Sequence, residues 1–459
     1  MPESRERATR TAIRAAMLIA TSLLLAACDI EVATNSGGVV TSYPTGIHCG
    51  TGVPTTQRVC TIRSYEKLKS TYGSLREIRF TATPLDNYRL SHWSGCDRTE
   101  RLHCFKKTGS DIVVTATFAP ITLATDPASS EVLRFVAIGD VGTGKNGQLR
   151  VASAVQQICD SATHSCSFAI GLGDNLYEHN VLSPYSSVFD SHFVAPYQKL
   201  GFPFYMVLGN HDNDLLIDGL GNFTAVGDTQ VAYSDVNPQW KMPGRHYQHS
   251  HPEGSGTPIA TFLALDSTPL MTIIDPSISY WPQYDLKQGR WAREALAASN
   301  ATWKFAYAHH PYISNGWHGN AGSYDGFPRL FYRLSGEYYR NWLQNNICGK
   351  VDVFFAGHDH DLQLLHSVPE CGNTLFVISG AGGKSNDPDE SVGIEKAQYN
   401  PAMFYATDTL GFVIVEIRGN EMTLEFYKVP TGDTEAASHG LPISPTPVYS
   451  HTFKRRKMP

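Results

Sequence analysis

Between residues 132 and 378 the chain repeats one device: an apolar run of strand length that stops at a residue able to bind a cation. The apolar runs are Val132–Ile138, Phe168–Leu172, Phe204–Leu208, Ile259–Leu265, Phe305–Ala308, Val351–Ala356 and Leu375–Ile378. Helical stretches, Asp285–Ser299 and Ser335–Asn346 among them, separate some of the runs. Buried strands alternating with helices predict α/β layering. Phe412–Ile417 and Met422–Tyr427 alternate strictly on either side of Gly419-Asn420, which predicts a closing hairpin.

The polar residues follow the runs directly. Asp140 comes after the first, Gly173-Asp174-Asn175-Leu176-Tyr177 after the second and Gly209-Asn210-His211-Asp212 after the third. Ala308-His309-His310-Pro311 and Gly357-His358-Asp359-His360 come later. In α/β sheets ligands sit beyond the carboxyl ends of the strands, so five strand ends deliver these groups to one rim. Taken singly, each has a plainer explanation. An aspartate after a strand is commonly a helix cap, and a buried tyrosine commonly fills a core with its hydroxyl satisfied. Together, carboxylates, imidazoles and an amide oxygen make a mixed nitrogen and oxygen site suited to iron, zinc or manganese.

The first of these strand ends permits a different chemistry. Gly139, Gly144 and Lys145 in IGDVGTGKNG have the spacing of a phosphate-cradling loop, GxxxxGK. That loop needs Ser or Thr after the lysine to hold magnesium, and this chain has Asn146. A nucleotide-binding loop would also leave the HxH and GNHD segments without a task.

The series GDVG, GDNLY, GNHD, HHP and GHDH resembles the calcineurin-like metallophosphoesterases, and Tyr177 marks the purple acid phosphatases within them. The resemblance extends through QVAYS at 230–234, KMPGRHY at 241–247, SGAGG at 379–383 and LGFVIVEI at 410–417. It covers nearly all of residues 132–455 and is nearest the small, tartrate-resistant type. It implies a four-layer αββα sandwich and a binuclear metal centre, Fe(III) with Fe(II), Zn(II) or Mn(II). Asp140, Asp174, Tyr177 and His360 would bind the ferric ion. Asp174, Asn210, His309 and His358 would bind the divalent ion, with Asp174 bridging. His309 rather than His310 takes the ligand position, two residues before the proline. His211 and His318 match two histidines that stand near the phosphate and serve catalysis. Val141 and Ala308 depart from the family's common aromatic and glycine, and neither removes a ligand.

The expected activity is an acid phosphatase that hydrolyses phosphomonoesters. Two metals roughly 3.5 Å apart clamp a phosphate during in-line attack by hydroxide. A trivalent ion keeps hydroxide available at acidic pH. A phosphodiesterase or nucleotidase would use the same ligands, and a non-catalytic surface protein would have no need for the full set. The substrate is expected to be a small phosphate ester. With 17% charged residues, a net charge of -6 and no clustered basic face, nucleic acid is not expected as a partner.

The N-terminal part points outside the cytoplasm. Arg5, Arg7, Arg10 and Arg14 precede the apolar stretch Ala15–Ala27, too short for an ordinary membrane span but suited to a signal peptide. Leu25-Ala26-Ala27-Cys28 resembles a bacterial lipoprotein lipobox, which implies cleavage before Cys28 and a lipid anchor there. The plainer alternative is a secretory signal with an incidental cysteine. The lipobox implies an exported protein on the periplasmic or extracellular face of a bacterial membrane.

Nine cysteines less Cys28 leave eight, an even number that fits disulfides in an oxidising compartment. Sequence proximity favours 49–60, 96–104, 159–166 and 348–371. Residues 28–120 carry alternating segments, Arg76–Thr83 and Ile112–Phe118, with Trp93 between them as an expected core anchor. This stretch resembles bacterial surface β-repeat modules of the divergent internalin-repeat type, which implies a small disulfide-stapled all-β domain. Such a module acts as a spacer or binds a surface partner. The expected order is a signal peptide at 1–27, the β-module at 28–120, a polar linker at 121–130 and the catalytic domain at 131–459.

Overall fold

The computed structural model describes residues 29–63, 77–125, 131–160, 165–177, 181–214, 224–254, 256–271, 283–386, 400–430 and 444–457. The expected signal peptide, Cys28 and residues 126–130 of the expected linker lie outside the described residues. The chain divides into two compact units, Met1–Pro120 and Ile121–Pro459. No helix among the described residues is long and apolar enough to cross a membrane.

The described residues of the first unit form an all-β region. Its four-stranded sheet runs Thr61–Ile62, Ile30–Thr34, Ile112–Pro120, Tyr88–Ser94, and its five-stranded sheet runs His48–Gly50, Gly38–Tyr43, Glu77–Pro84, His103–Lys107, Arg98–Glu100. Alternation in Glu77–Pro84 and Ile112–Pro120 turns Ile78, Phe80, Ala82, Ile112, Val114 and Phe118 inward. Cys49–Cys60 and Cys96–Cys104 are disulfide-bonded. Trp93 is only half-buried, contrary to the expectation of a core anchor. It pairs with Ala116 but lies on an edge strand, past an irregularity at Leu90/His92. Leu90, before that irregularity, takes the core position instead.

The second unit is built on two seven-stranded sheets. In the first, Val132–Ile138, Phe168–Gly171 and Phe204–Met206 are parallel neighbours, and Leu410–Arg418 closes against Val132–Ile138 in antiparallel register. Leu410–Arg418 continues as the expected hairpin into Glu421–Val429. In the second sheet Ala260–Ala264, Trp303–Tyr307, Val353–Ala356 and Leu375–Ser379 are parallel. Buried on both faces, these strands read as unbroken apolar runs rather than alternating ones.

The sheets meet face to face over one aromatic cluster. Phe135 of the first sheet stacks on Phe168 at 5.1 Å and meets Phe262 of the second edge-on at 5.1 Å. Phe305 and Phe355 complete the contact from the second sheet. Helices cover the outside. Asn146–Cys159 lies on the hairpin strands of the first sheet. Tyr284–Ala298 packs on Glu337–Asn346, and Lys304 Nζ donates to Leu296 O to tie that layer to strand Trp303–Tyr307. The result is the αββα sandwich, with Cys159–Cys166 and Cys348–Cys371 bonded in it.

Phe135 has no exposed surface and touches both sheets. Phe135→Ala is expected to destabilise the second unit by about 3–5 kcal/mol, and Phe135→Leu by clearly less. Urea unfolding followed by circular dichroism measures both; equal, small losses would contradict an inter-sheet core centred on this ring.

Candidate metal centre

The carboxyl ends of the two sheets' parallel strands converge, and the polar residues that follow them meet there. Asp140, Asp174 and His358 adopt left-handed backbone, with φ of 57°, 52° and 71°. Such conformations are costly for residues with a Cβ and persist where surrounding structure enforces them. Gly209 and Gly357 make room: a Cβ on Gly209 would stand 2.0 Å from Asp174 Oδ1, and one on Gly357 2.4 Å from Asp140 Oδ2. Glycine is required because the carboxylates occupy the space a side chain would take.

Two sets of donors form around the buried carboxylates. Tyr177 Oη donates to Asp140 Oδ1 at 3.1 Å and lies 3.3 Å from His360 Nε2. His360 Nε2 is 3.6 Å from the same Asp140 oxygen. On the other side, His309 Nε2 lies 2.8 Å from Asn210 Oδ1, 3.1 Å from His358 Nδ1 and 3.4 Å from Asp174 Oδ2. Ligand atoms of Asp140, Asp174 and His309 all fall within 4.8 Å of one another. The structure therefore brings all seven expected ligands together, with Asp174 within reach of both sets. His310 turns away, its Nδ1 2.8 Å from Ser267 Oγ.

The donor chemistry fits a cation. His309 Nδ1–H donates to Leu172 O at 2.9 Å, which leaves the Nε2 lone pair facing inward. There it confronts the Asn210 oxygen, also an acceptor. Two facing lone pairs repel unless a positive charge sits among them. Burial, then the charge of Asp174, pushes the Asp140 carboxyl well above its usual range. Burial opposes ionisation of Asp174 as well, but His309 and His211 hold it down to about 2. Burial and then Asp140 raise the Tyr177 phenol well above its ordinary value. Burial lowers His309, His358 and His360 below the ordinary imidazole range, His360 to about 3, which favours the neutral form that can ligate. Metal cations would stabilise the anions that burial disfavours.

His211 and His318 flank this cluster. His211 N–H donates to Asp174 Oδ1 at 3.1 Å, and its ring meets Tyr177 at 4.8 Å. The His318 ring stacks on His358 at 3.9 Å, and Asp325 holds its Nδ1 at 2.7 Å. Burial lowers the His318 pKa, but the Asp325 hydrogen bond and neighbouring carboxylates leave it raised overall.

Sequence reasoning missed two contributors. Lys384 places Nζ 3.9 Å from the centre of the Tyr177 ring, a cation over an aromatic face at the edge of the cluster. Its signal was its position directly after SGAGG, a stretch valued only as a match. Asp212, the last residue of GNHD, accepts hydrogen bonds from Gly209 N, Asn175 N, Leu176 N and Gln230 Nε2 at 2.7–3.1 Å. It locks the loop carrying Asp174 to the loop carrying Asn210. Nothing in its spacing separates that role from direct ligation.

The phosphate-loop spacing at 139–145 has no matching geometry. Gly144 N–H donates to Gln148 Oε1 at 2.8 Å and Gly142 N–H to Asp174 O at 3.2 Å. The amides that would cradle a phosphate are spent within the protein, and Lys145 is exposed.

The model of the calcineurin-like phosphoesterase family matches residues 133–362, the stretch that contains all seven expected ligands. The chain belongs to the calcineurin-like phosphoesterases. It is 27% identical over 318 residues to tartrate-resistant acid phosphatase type 5 of Sus scrofa, covering 66% of this chain and 85% of the relative. It is 27% identical over 308 residues to purple acid phosphatase 3 of Arabidopsis thaliana, covering 64% and 74%. Among solved structures, "GAP50 the anchor in the inner membrane complex of Plasmodium" superposes with a TM-score of 0.51 at 19% identity, covering 71% of this chain and 90% of that one. That likeness concerns the fold. Membership of the family implies a metal centre in this phosphoesterase, and Asp140, Asp174 and His309 form a group that can hold one.

Asp212→Asn replaces an acceptor-only group with one bearing an NH₂ that must face an existing donor. It is expected to lower metal affinity or phosphoesterase activity about 10- to 100-fold. Metal titration with activity as readout checks this; an unchanged affinity and rate would show that the two loops hold their positions without it.

Proposed function

We propose that this phosphoesterase is a binuclear acid phosphatase of the purple type, hydrolysing phosphomonoesters. The observation that carries the proposal is the division of seven donors, six buried and His360 half-buried, into two sets that share Asp174. Asp140, Tyr177 and His360 are the harder set and would hold Fe(III). Asn210, His309 and His358 would hold Fe(II), Zn(II) or Mn(II). When bound, the two ions supply Lewis acidity that neutralises the phosphoryl group and lowers the pKa of water.

The chain's own groups do the rest. Lys384, at the edge of the cluster, attracts the phosphate anion. Asp174 fixes the main chain of His211 and so aims that imidazole across the Tyr177 ring. Asp325 orients His318, whose position over His358 suits it to protonate the departing alkoxide. As a phenolate, Tyr177 would belong to the set that holds the more highly charged ion.

The proposal extends to location. The chain would be exported to the periplasmic or extracellular face of a bacterial membrane and anchored by lipid on Cys28. The first unit would then be a β-repeat spacer that lifts the enzyme off the surface or engages a surface partner.

Purified protein is expected to contain two metal ions per chain and a visible charge-transfer band. The band should vanish in Tyr177→Phe, and Asp174→Asn should lose about 100-fold or more in kcat on monoesters. A Tyr177→Phe variant that keeps its colour would sink the ferric assignment. A panel preferring diesters or nucleotides over simple monoesters would give the same centre to phosphodiesterase or nucleotidase chemistry. Lys145→Ala should leave the rate nearly unchanged; abolition of activity would restore the phosphate-loop alternative.

A further inference from the structure

The strands that end at His309 and His358 begin at a second concave site. Trp303–Tyr307 starts beside Lys304, and Val353–Ala356 starts after Asp352. Five residues separate Lys304 from His309, so about 16 Å of extended strand lies between the two ends. At the amino-terminal ends there is a cavity of about 570 Å³, within the range of small-molecule sites.

Its wall is strongly basic. Arg293 comes from helix Tyr284–Ala298, Lys304 and Lys350 from the strand starts, and Arg455, Arg456 and Lys457 from the C-terminal tail. Among the described lining residues the only carboxylate is Asp352. That group is buried, and its Oδ2 accepts the Lys304 N–H at 2.8 Å.

Main-chain carbonyls hold four of these cations. Lys304 Nζ donates to Leu296 O at 2.8 Å and Lys350 Nζ to Asn345 O at 3.1 Å. Arg455 Nη1 donates to Thr302 O at 2.8 Å and Arg456 Nη1 to Asn373 O at 3.0 Å. The tail is itself held, because Lys457 N–H donates to Thr122 O at 2.7 Å and Arg455 O accepts Ala124 N–H at 2.9 Å. A neutral carbonyl positions a cation without cancelling its charge, so these bonds pre-organise a wall on which six basic side chains converge. Burial and then Arg293 lower the Lys350 pKa, as expected where like charges crowd.

We propose that this cavity is a second anion-binding site, independent of the metal centre, that takes a compact ligand carrying two or more clustered phosphate or sulfate groups. Six cationic side chains around one cavity favour a multivalent anion over a single phosphate. The ligand's charge is the recognised feature; it comes from a soluble polyanion or from a polyphosphate lipid headgroup, and the two sources are separable.

The test uses the full, metal-loaded chain and inositol hexasulfate, a polyanion without a phosphate ester to hydrolyse. Calorimetry should show one site whose affinity falls about 10-fold or more in K350Q/K457Q. Phosphomonoester hydrolysis by that double variant should match the parent, which controls for folding. Absence of binding by the parent, or equal affinity in the double variant, would overturn the proposal. Co-sedimentation with cardiolipin-containing phosphatidylcholine vesicles, in excess of pure phosphatidylcholine and lost in K350Q/K457Q, supports the site and assigns the anion to a headgroup. Binding of inositol hexasulfate without that excess supports it and assigns a soluble ligand.

Discussion

Asp140 and Asp174 lie side by side with almost no solvent, at the ends of strands that are parallel neighbours. Two carboxylates in that setting repel each other and resist ionisation, so the surroundings must supply positive charge or polar hydrogens. Much of the local architecture answers that demand. His358 N–H donates to Asp140 Oδ2 at 2.9 Å, and His211 N–H serves Asp174. Imidazoles close in from the second sheet. Glycines remove the side chains that would otherwise occupy the carboxylates' space, and the left-handed backbone at both aspartates turns them toward one another.

The demand can be met only because the two sheets are held in one register. Asp140, Asp174, Tyr177 and Asn210 follow strands of the first sheet, while His309, His358 and His360 follow strands of the second. Neither sheet alone carries a complete donor set. The Phe135 cluster fixes the spacing between the sheets, and at the opposite end Trp303 Nε1 donates to Gly419 O at 2.9 Å, joining second sheet to first. A slip between the layers would separate His309 from Asn210 long before it unfolded either sheet. Packing of apolar rings thus sets the distances on which the polar site depends.

Much of this was legible in the sequence, for identifiable reasons. Strands buried on both faces leave continuous apolar runs, and a ligand at a strand's carboxyl end must follow such a run directly. Disulfides closing short loops follow from proximity, and all four expected pairs are bonded. Strand ends moved by one or two residues, as where Phe305–Ala308 became Trp303–Tyr307, because an apolar run does not mark where hydrogen bonding starts. The illegible parts depend on contacts between distant segments. Lys384 reaches the Tyr177 ring from a loop that follows the last central strand. Asp212 looks like one more ligand in GNHD until its N–H donors are seen. Trp93 looks like an anchor until the irregularity at Leu90/His92 sets its position on an edge strand. The basic cavity assembles a helix, two strand starts and the chain's last residues, which no local pattern connects.

The same central strands therefore carry opposite charge at their two ends. At the carboxyl ends, buried acids and neutral imidazoles make a site for cations; at the amino ends, lysines and arginines held by carbonyls make a basic wall. A net charge of -6 conceals this separation, because totals average over a polarised domain. The first strand's end shows why the distinction matters for chemistry. Its GxxxxGK spacing suggests backbone amides around phosphate, yet those amides are turned inward to Gln148 and to the loop of Asp174. With these amides committed to holding two carboxylates in place, attraction for a phosphate ester at this end is left to cations that those carboxylates would gather and to Lys384. Direct attraction by basic side chains belongs mainly to the other end.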